Sequence, residues 1–200
     1  MNQAAPEMWL SLKQGDAQAA ARLLQAFYAD LYQYGVRIAG DQDLVKDSIQ
    51  EIFAHLWQKR AVLPEVQQVK AYLLKSLRRH LLRALQRERK RHLFAREMDP
   101  ETDITFSAED FLIADEAQQA RQARLAEAIN QLTKRQREAI FLRFYHGLSN
   151  AEIAETMGLN PQSLYNLSHE ALRTLKKLVL GMAHWLVALA VSQLEQIGHF

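Results

Sequence analysis

The sequence predicts an all-α protein built as two small helical domains joined by an acidic linker, the second carrying a helix-turn-helix. Three observations predict this. Apolar residues recur at helical spacing nearly throughout, and no run of alternating β-branched residues is long enough for a sheet. Residues 98–117, "MDPETDITFSAEDFLIADEA", break that period with Pro100, Thr102, Thr105 and Ser107. Residues 147–172, "GLSNAEIAETMGLNPQSLYNLSHEAL", have the punctuation of two short helices around a glycine turn. The domains are expected at 10–95 and 121–180, with the linker at 96–120 and an apolar extension at 181–200.

Composition supports this reading. A chain of 200 residues that is 48% hydrophobic is not mainly disordered and can bury one or two modest cores. The absence of cysteine removes disulfides, thiolate metal sites and cysteine nucleophiles together. The opening "MNQAAPEMWLSLKQGD" lacks a basic segment followed by an apolar one, so no secretory signal is read and a cytoplasmic location is expected.

Along the first domain, Asp16 is a plausible N-cap for a helix to about Ala39, with Leu23, Phe27, Leu31 and Tyr34 on one stripe and Gly40 as the stop. Asp43 is read as the cap of a second helix from Leu44 to about Lys59. Its residues Val45, Ile49, Ile52, Phe53 and Leu56 share the core-facing side, whereas Asp47, Gln50, Glu51, Ala54 and Gln58 share another. After Pro64, a third helix is expected over about 66–92. Wound at about 100° per residue, it puts Leu73, Leu77, Leu81, Ala84 and Leu85 on one side. Lys75, Arg78, Arg79, Arg83, Arg89 and Lys90 gather on the other.

Net charge is only +2, but the charges are segregated. Residues 75–97 carry nine cations, Arg87 among them, against Glu88 and Glu97, and residues 98–120 carry seven acids with no Lys or Arg. So many cations with almost no interleaved acid repel one another and favour a polyanion nearby, which points to nucleic acid ahead of a membrane surface. The linker's sparse apolar residues, Ile104, Phe106, Phe111, Leu112 and Ile113, are candidates to dock on a neighbouring element.

The second domain begins near Gln118, with Leu125, Ile129 and Leu132 followed by a helix that Thr133 caps and Gly147 ends, carrying Ile140, Phe141 and Phe144. Ser149 and Glu152 form a capping-box pattern, Ile153 and Ala154 point inward, Gly158 allows the turn, and Pro161 sits in the first turn of the last helix. On that helix Gln162 and Asn166 suit bidentate pairing with adenine, Tyr165 a thymine methyl or a phosphate, and Ser163, His169 and Arg173 are further DNA candidates. Residues 178–191 are shorter than the roughly 18 residues of a membrane span, and include His184. The tail is read as a helix packed on the second domain or on a partner.

These pieces together resemble the extracytoplasmic-function, or group 4, sigma factors of bacterial RNA polymerase, over about residues 10–180. "KDSIQEIFAHLWQKR" is similar to the core-binding motif of sigma region 2, which implies polymerase contacts through Asp47, Gln50, Glu51, Phe53 and Trp57. A face bearing carboxylates and an amide suits an arginine-rich coiled coil. "VKAYLLKSLRRHLLRALQRERKR" is similar to the segment that reads and melts the minus-10 element. There Lys75, Arg78, Arg79, Arg83 and Arg87 are the DNA-binding candidates, and the loop from Arg60 to Gln68 is the implied pocket for an unstacked base. His80 and Ala84 depart from the family's Asn and Asp.

"LTKRQREAIFLRFYHGLSNAEIAETMGLNPQSLYNLSHEALRTLKKL" follows region 4, the minus-35 reader, but Tyr165, Leu167 and Glu170 replace the usual basic residues of its last helix. Weak promoter binding alone and specific binding as holoenzyme are expected. The resemblance implies core RNA polymerase, promoter DNA and a sequestering anti-sigma factor as partners, with membrane contact only through that factor or the tail. No cofactor, metal or small-molecule substrate is expected. With no HExxH and no Gly-rich phosphate loop, enzymatic chemistry is not expected either. The alternative reading is a helix-turn-helix regulator or a protein-binding adaptor without melting activity.

Overall fold

The computed structural model describes residues 4–91, 104–107 and 116–178. The tail beyond 178, His184, and the linker residues Phe111, Leu112 and Ile113 lie outside these residues, as do the side chains of Arg89 and Lys90. Among the described residues the fold is all helical: α1 (Ala5–Lys13), α2 (Ala17–Ala39), α3 (Gln42–Gln58), a short 3-10 turn (Arg60–Val62), α4 (Val69–Arg91), α5 (Glu116–Asn130), α6 (Lys134–Phe144), α7 (Asn150–Met157) and α8 over 161–178.

Helices α1 to α4 pack together as the first lobe. The Asp16 side chain accepts from Gln18 N, and Gly40 closes α2 in the left-handed region at φ 69°. The predicted stripe is buried in full: Leu23, Phe27, Leu31 and Tyr34 are each at most 6% exposed. On α3, Val45, Ile49, Ile52 and Leu56 are buried, Phe53 is half-buried, and the Asp47, Gln50, Glu51, Ala54 and Gln58 side is open. The cap of α3 is Asp41, not Asp43. Asp41 holds an extended backbone and its Oδ1 accepts from the amides of Asp43 and Leu44, so Asp43 falls in the first turn.

Two further differences concern the first lobe. Helix α1 is an element that the periodicity did not announce; its nine residues carry only Ala5, Trp9 and Leu12 inward. Helix α4 starts at Val69, after a non-helical stretch in which Leu63, ahead of Pro64, holds an extended backbone and Trp9 Nε1 donates to the Pro64 carbonyl at 3.0 Å.

In the second lobe, α6 opens with a capping box between Thr133 and Gln136, and α7 with one between Ser149 and Glu152. Gly158 ends α7 at φ 66°, a left-handed conformation that makes the sharp turn of the helix-turn-helix without strain. Asn160, a cap that the sequence reading left out, accepts from Ser163 N at 2.7 Å ahead of α8. Phe144, apolar in sequence, is 76% exposed at the end of α6. Buried apolar residues from all eight helices and from the linker form one continuous cluster, so the lobes are packed on each other.

Candidate polymerase- and promoter-binding surfaces

Helix α3 presents Asp47, Gln50 and Glu51 to solvent, because its apolar stripe is committed to the core on the opposite side. Glu51 Oε2 lies 3.4 Å from His80 Nε2 of α4. The position that departs from the family's Asn is therefore spent on a carboxylate of the α3 face. Farther along α3, the Arg60 guanidinium sits 4.6 Å from the centre of the Trp57 ring and its Nη1 donates to the Trp57 carbonyl. This cation over an aromatic face fixes a half-buried ring at the edge of the same surface. Phe53, half-buried, packs against the core beneath.

The basic side of α4 divides in two. Arg79, Arg83 and Arg87 are exposed, as the predicted nucleic-acid face requires. Arg78 is not open: its Nε and Nη2 donate to Glu138 Oε1 and Oε2 at 2.7 and 3.1 Å, and the Glu138 side chain is fully buried. Tyr34 Oη donates to the same Glu138 Oε1 at 2.6 Å. Burial, reinforced by the neighbouring Glu138 charge, raises the Tyr34 hydroxyl well above its ordinary pKa. Burial alone would lower Arg78, but the hydrogen bonds and charge of Glu138 outweigh it and raise it.

Beside this triad, Lys75 Nζ reaches Glu155 of α7 at 3.2 Å. Asp30 of α2 receives Lys70 Nζ at 3.0 Å and faces His146 Nδ1 at 3.3 Å. Desolvation would raise the Asp30 carboxyl; the hydrogen bonds from His146 and Lys70 prevail and hold it below its ordinary value. The His146 side chain is fully buried against the rings of Tyr34 and Phe141.

On α8, Leu164 and Ala171 are buried, and the outward side holds the predicted readers. Gln162 Nε2 donates to Asn166 Oδ1 at 3.0 Å, and the exposed Tyr165 ring stacks with His169 at 6.2 Å. Arg173 is exposed one turn beyond. A shallow groove of about 430 Å³ runs between the start of α6 and α8, lined by Thr133, Arg135, Gln136, Ser163, Asn166, Leu167 and Glu170. It joins α8 to the capped start of α6. Among the described residues no three His, Asp or Glu side chains gather where they could hold a metal ion. Likewise no described helix is long and apolar enough to cross a membrane.

The structure thus brings the α3 residues onto one face and the α8 residues onto another, and it splits the α4 set. What sequence reasoning missed is the group between the lobes: Asp30, Tyr34, Lys70, Glu138 and His146. A charged residue inside "TKRQREAIFLRF" carries no local mark of burial.

Residues 23–91 match the Sigma-70 region 2 family and residues 122–175 the Sigma-70, region 4 family. The chain is similar to the ECF RNA polymerase sigma factor SigK of Mycolicibacterium vanbaalenii, 28% identical over 85% of this chain and 86% of the relative. It is also similar to the ECF RNA polymerase sigma factor SigL of Mycobacterium tuberculosis, 29% identical over 81% and 92%. Two solved structures share the fold. They are CnrH in complex with the cytosolic domain of CnrY (TM-score 0.59, 20% identity, 90% of this chain and 99% of that one) and the sigma factor RpoE in complex with the anti-sigma factor NepR from Bartonella quintana (TM-score 0.53, 20% identity, 80% and 95%). With a region 2 lobe ahead of a region 4 helix-turn-helix and ECF relatives along most of its length, the chain belongs to the sigma-70 family, in the two-region form of the extracytoplasmic-function sigma factors.

Proposed function

We propose that this protein is a transcription initiation factor that binds core RNA polymerase through the open side of α3 and directs it to promoters through α4 and α8. The observation that carries the reading is the pairing, in one chain, of an acid-and-amide face on region 2 with a fully capped region 4 helix-turn-helix. Asp47, Gln50 and Glu51 offer a polar, negatively charged docking strip, and Phe53 and Trp57 support it from the core side. Arg79, Arg83 and Arg87 contact the phosphates of the minus-10 region, and Lys75 and Arg78 of the same helix add to its positive charge. Gln162, Ser163, Tyr165, Asn166, His169 and Arg173 face the minus-35 element, where the amides pair with base edges and the rest position the helix.

Residues 10–95 and 121–180 act as the two promoter-contacting domains, joined by the acidic linker. The protein works in the cytoplasm and is held in reserve by an anti-sigma factor, the type of complex seen for RpoE of Bartonella quintana. Transcription with purified core polymerase tests the function: promoter-specific starts are expected with this protein and not without it. The double variant Gln50→Ala with Glu51→Ala is expected to fold and to bind core polymerase at least about tenfold more weakly, each tenfold being about 1.4 kcal/mol. Unchanged affinity of that variant would reject the docking strip.

A further inference from the structure

From Pro161 to Leu172 helix α8 carries no Lys or Arg; its exposed cations, Arg173, Lys176 and Lys177, come only after that. A recognition helix presents its N-terminal residues to base edges, so discrimination there rests on neutral side chains. The foremost are Gln162 and Asn166. Both are exposed, they stand one turn apart, and Gln162 Nε2 donates to Asn166 Oδ1 at 3.0 Å.

The turn beneath the pair is fixed. Asn160 Oδ1 accepts from Ser163 N at 2.7 Å, the Asn160 carbonyl accepts from Leu164 N at 3.1 Å, and Leu164 is buried in the core. What stays free at Gln162 is its side-chain torsions, and a bond between positions i and i+4 restrains those. The bond also gives the amide a direction. An amide nitrogen carries two hydrogens; with one spent on Asn166, Gln162 keeps the other hydrogen and the whole of Oε1. Adenine shows N7 as an acceptor and its N6 amino group as a donor, the complement of that pair. Guanine shows N7 and O6, two acceptors, so a held Gln162 meets it with one acceptor facing another. A glutamine free to turn could serve either base.

Resting on the function proposed above, we infer that Asn166 is a positioning residue for Gln162: it fixes the amide in the orientation that pairs with adenine in the minus-35 element, and so makes one base pair discriminate adenine from guanine. Gln162 touches the base, and Asn166 sets which way Gln162 faces. The orientation is settled before DNA arrives, so little ordering is left for the moment of binding. Rejection of guanine then follows from the polar atoms left unpaired at a desolvated contact.

The test uses holoenzyme reconstituted from core polymerase and the full chain, with a mixed-sequence duplex library from which bound promoters are selected and read position by position. Gln162→Ala locates the base pair: one position is expected to lose a preference for adenine over guanine that in the parent is at least about tenfold. Asn166→Ala is expected to remove most of that preference at the same position and to leave the other positions as they were. Asn166→Asp can only accept, so it holds the Gln162 amide the same way round; it is expected to keep the preference while its added charge weakens binding to all sequences alike. In the double alanine variant, loss of Asn166 should add nothing at that position to the loss of Gln162. Preference for adenine that survives Asn166→Ala, a change confined to some other position, an Asn166→Asp protein as relaxed as the alanine variant, or a Gln162→Ala protein with every preference intact would each overturn the inference. Promoter-specific starts by the parent holoenzyme are scored separately. Their presence alongside any of those results rejects only the coupling, and their absence rejects the functional reading and the coupling with it.

Discussion

Gly35 sits near the C-terminal end of α2, packed against Val45 of α3 and Leu77 of α4, and Gly35→Ala is expected to destabilise the first lobe although alanine is the better helix former. An ideal Cβ there would lie 2.6 Å from Val45 Cγ1, 3.1 Å from Val45 Cγ2 and 3.4 Å from Leu77 Cδ2. Val45 and Leu77 are both 0% exposed, and Val45 is β-branched, so no flexible chain end can swing aside. Overpacking of this kind costs about 1–3 kcal/mol, and the gain in helix propensity returns about 1 kcal/mol, leaving a net loss of about 1 kcal/mol. Val45→Ala alone removes two methyl groups from a dry core and costs about 2–3 kcal/mol once the cavity is included. In the double variant the new Cβ fills part of that cavity, so the combined loss is expected to fall short of the sum by about 1–2 kcal/mol. Urea unfolding of the four proteins, followed by far-ultraviolet circular dichroism, closes the cycle. A Gly35→Ala protein more stable than the parent, or strictly additive losses, would show that the two helices do not meet at this contact.

Two further outcomes are expected. Because the folded Asp30 carboxyl titrates below its ordinary value of 3.8, its contribution is present above that pH and is lost as pH falls through the lower folded value. The urea midpoint should therefore drop at acidic pH, and Asp30→Asn should flatten that part of the profile. For DNA, Arg79→Ala and Arg83→Ala should each weaken holoenzyme binding to all promoters alike and reduce the salt slope by about 0.9 if the phosphate lies in duplex or about 0.7 if in single strand; an unchanged slope would remove that residue from the interface.

Much of the fold is written locally. Asp16, Thr133 with Gln136, and Ser149 with Glu152 announce helix starts because a side chain a few residues away satisfies the first free amides, and Gly40 and Gly158 announce ends because only glycine takes their left-handed backbone readily. The same local logic misplaces the start of α3. Asp41 and Asp43 are chemically equal caps, and backbone conformation alone chooses between them. Helix α1 was illegible because a short helix that buries three residues leaves too little periodicity to read.

The open side of α3 was legible through patterned exposure, as Asp47, Gln50 and Glu51 illustrate. The lobe contact was not. Arg78 and Glu138 are 60 positions apart, Tyr34 and Glu138 are 104 apart, and each reads locally as an ordinary surface charge or core aromatic. Only long-range packing turns them into one group.

Trp9 offers a last consequence. Its indole holds the Pro64 carbonyl while its ring meets Tyr72 edge-on, 5.0 Å between centres, so α1 props both the 60–68 loop and the start of α4. The segment that matches region 2 begins only at residue 23. A fragment cut to that boundary keeps each carboxylate of α3 and each arginine of α4, but loses the brace under the loop expected to cradle a flipped base. Docking and strand opening should come apart in such a fragment, with attachment to the enzyme surviving and duplex melting failing.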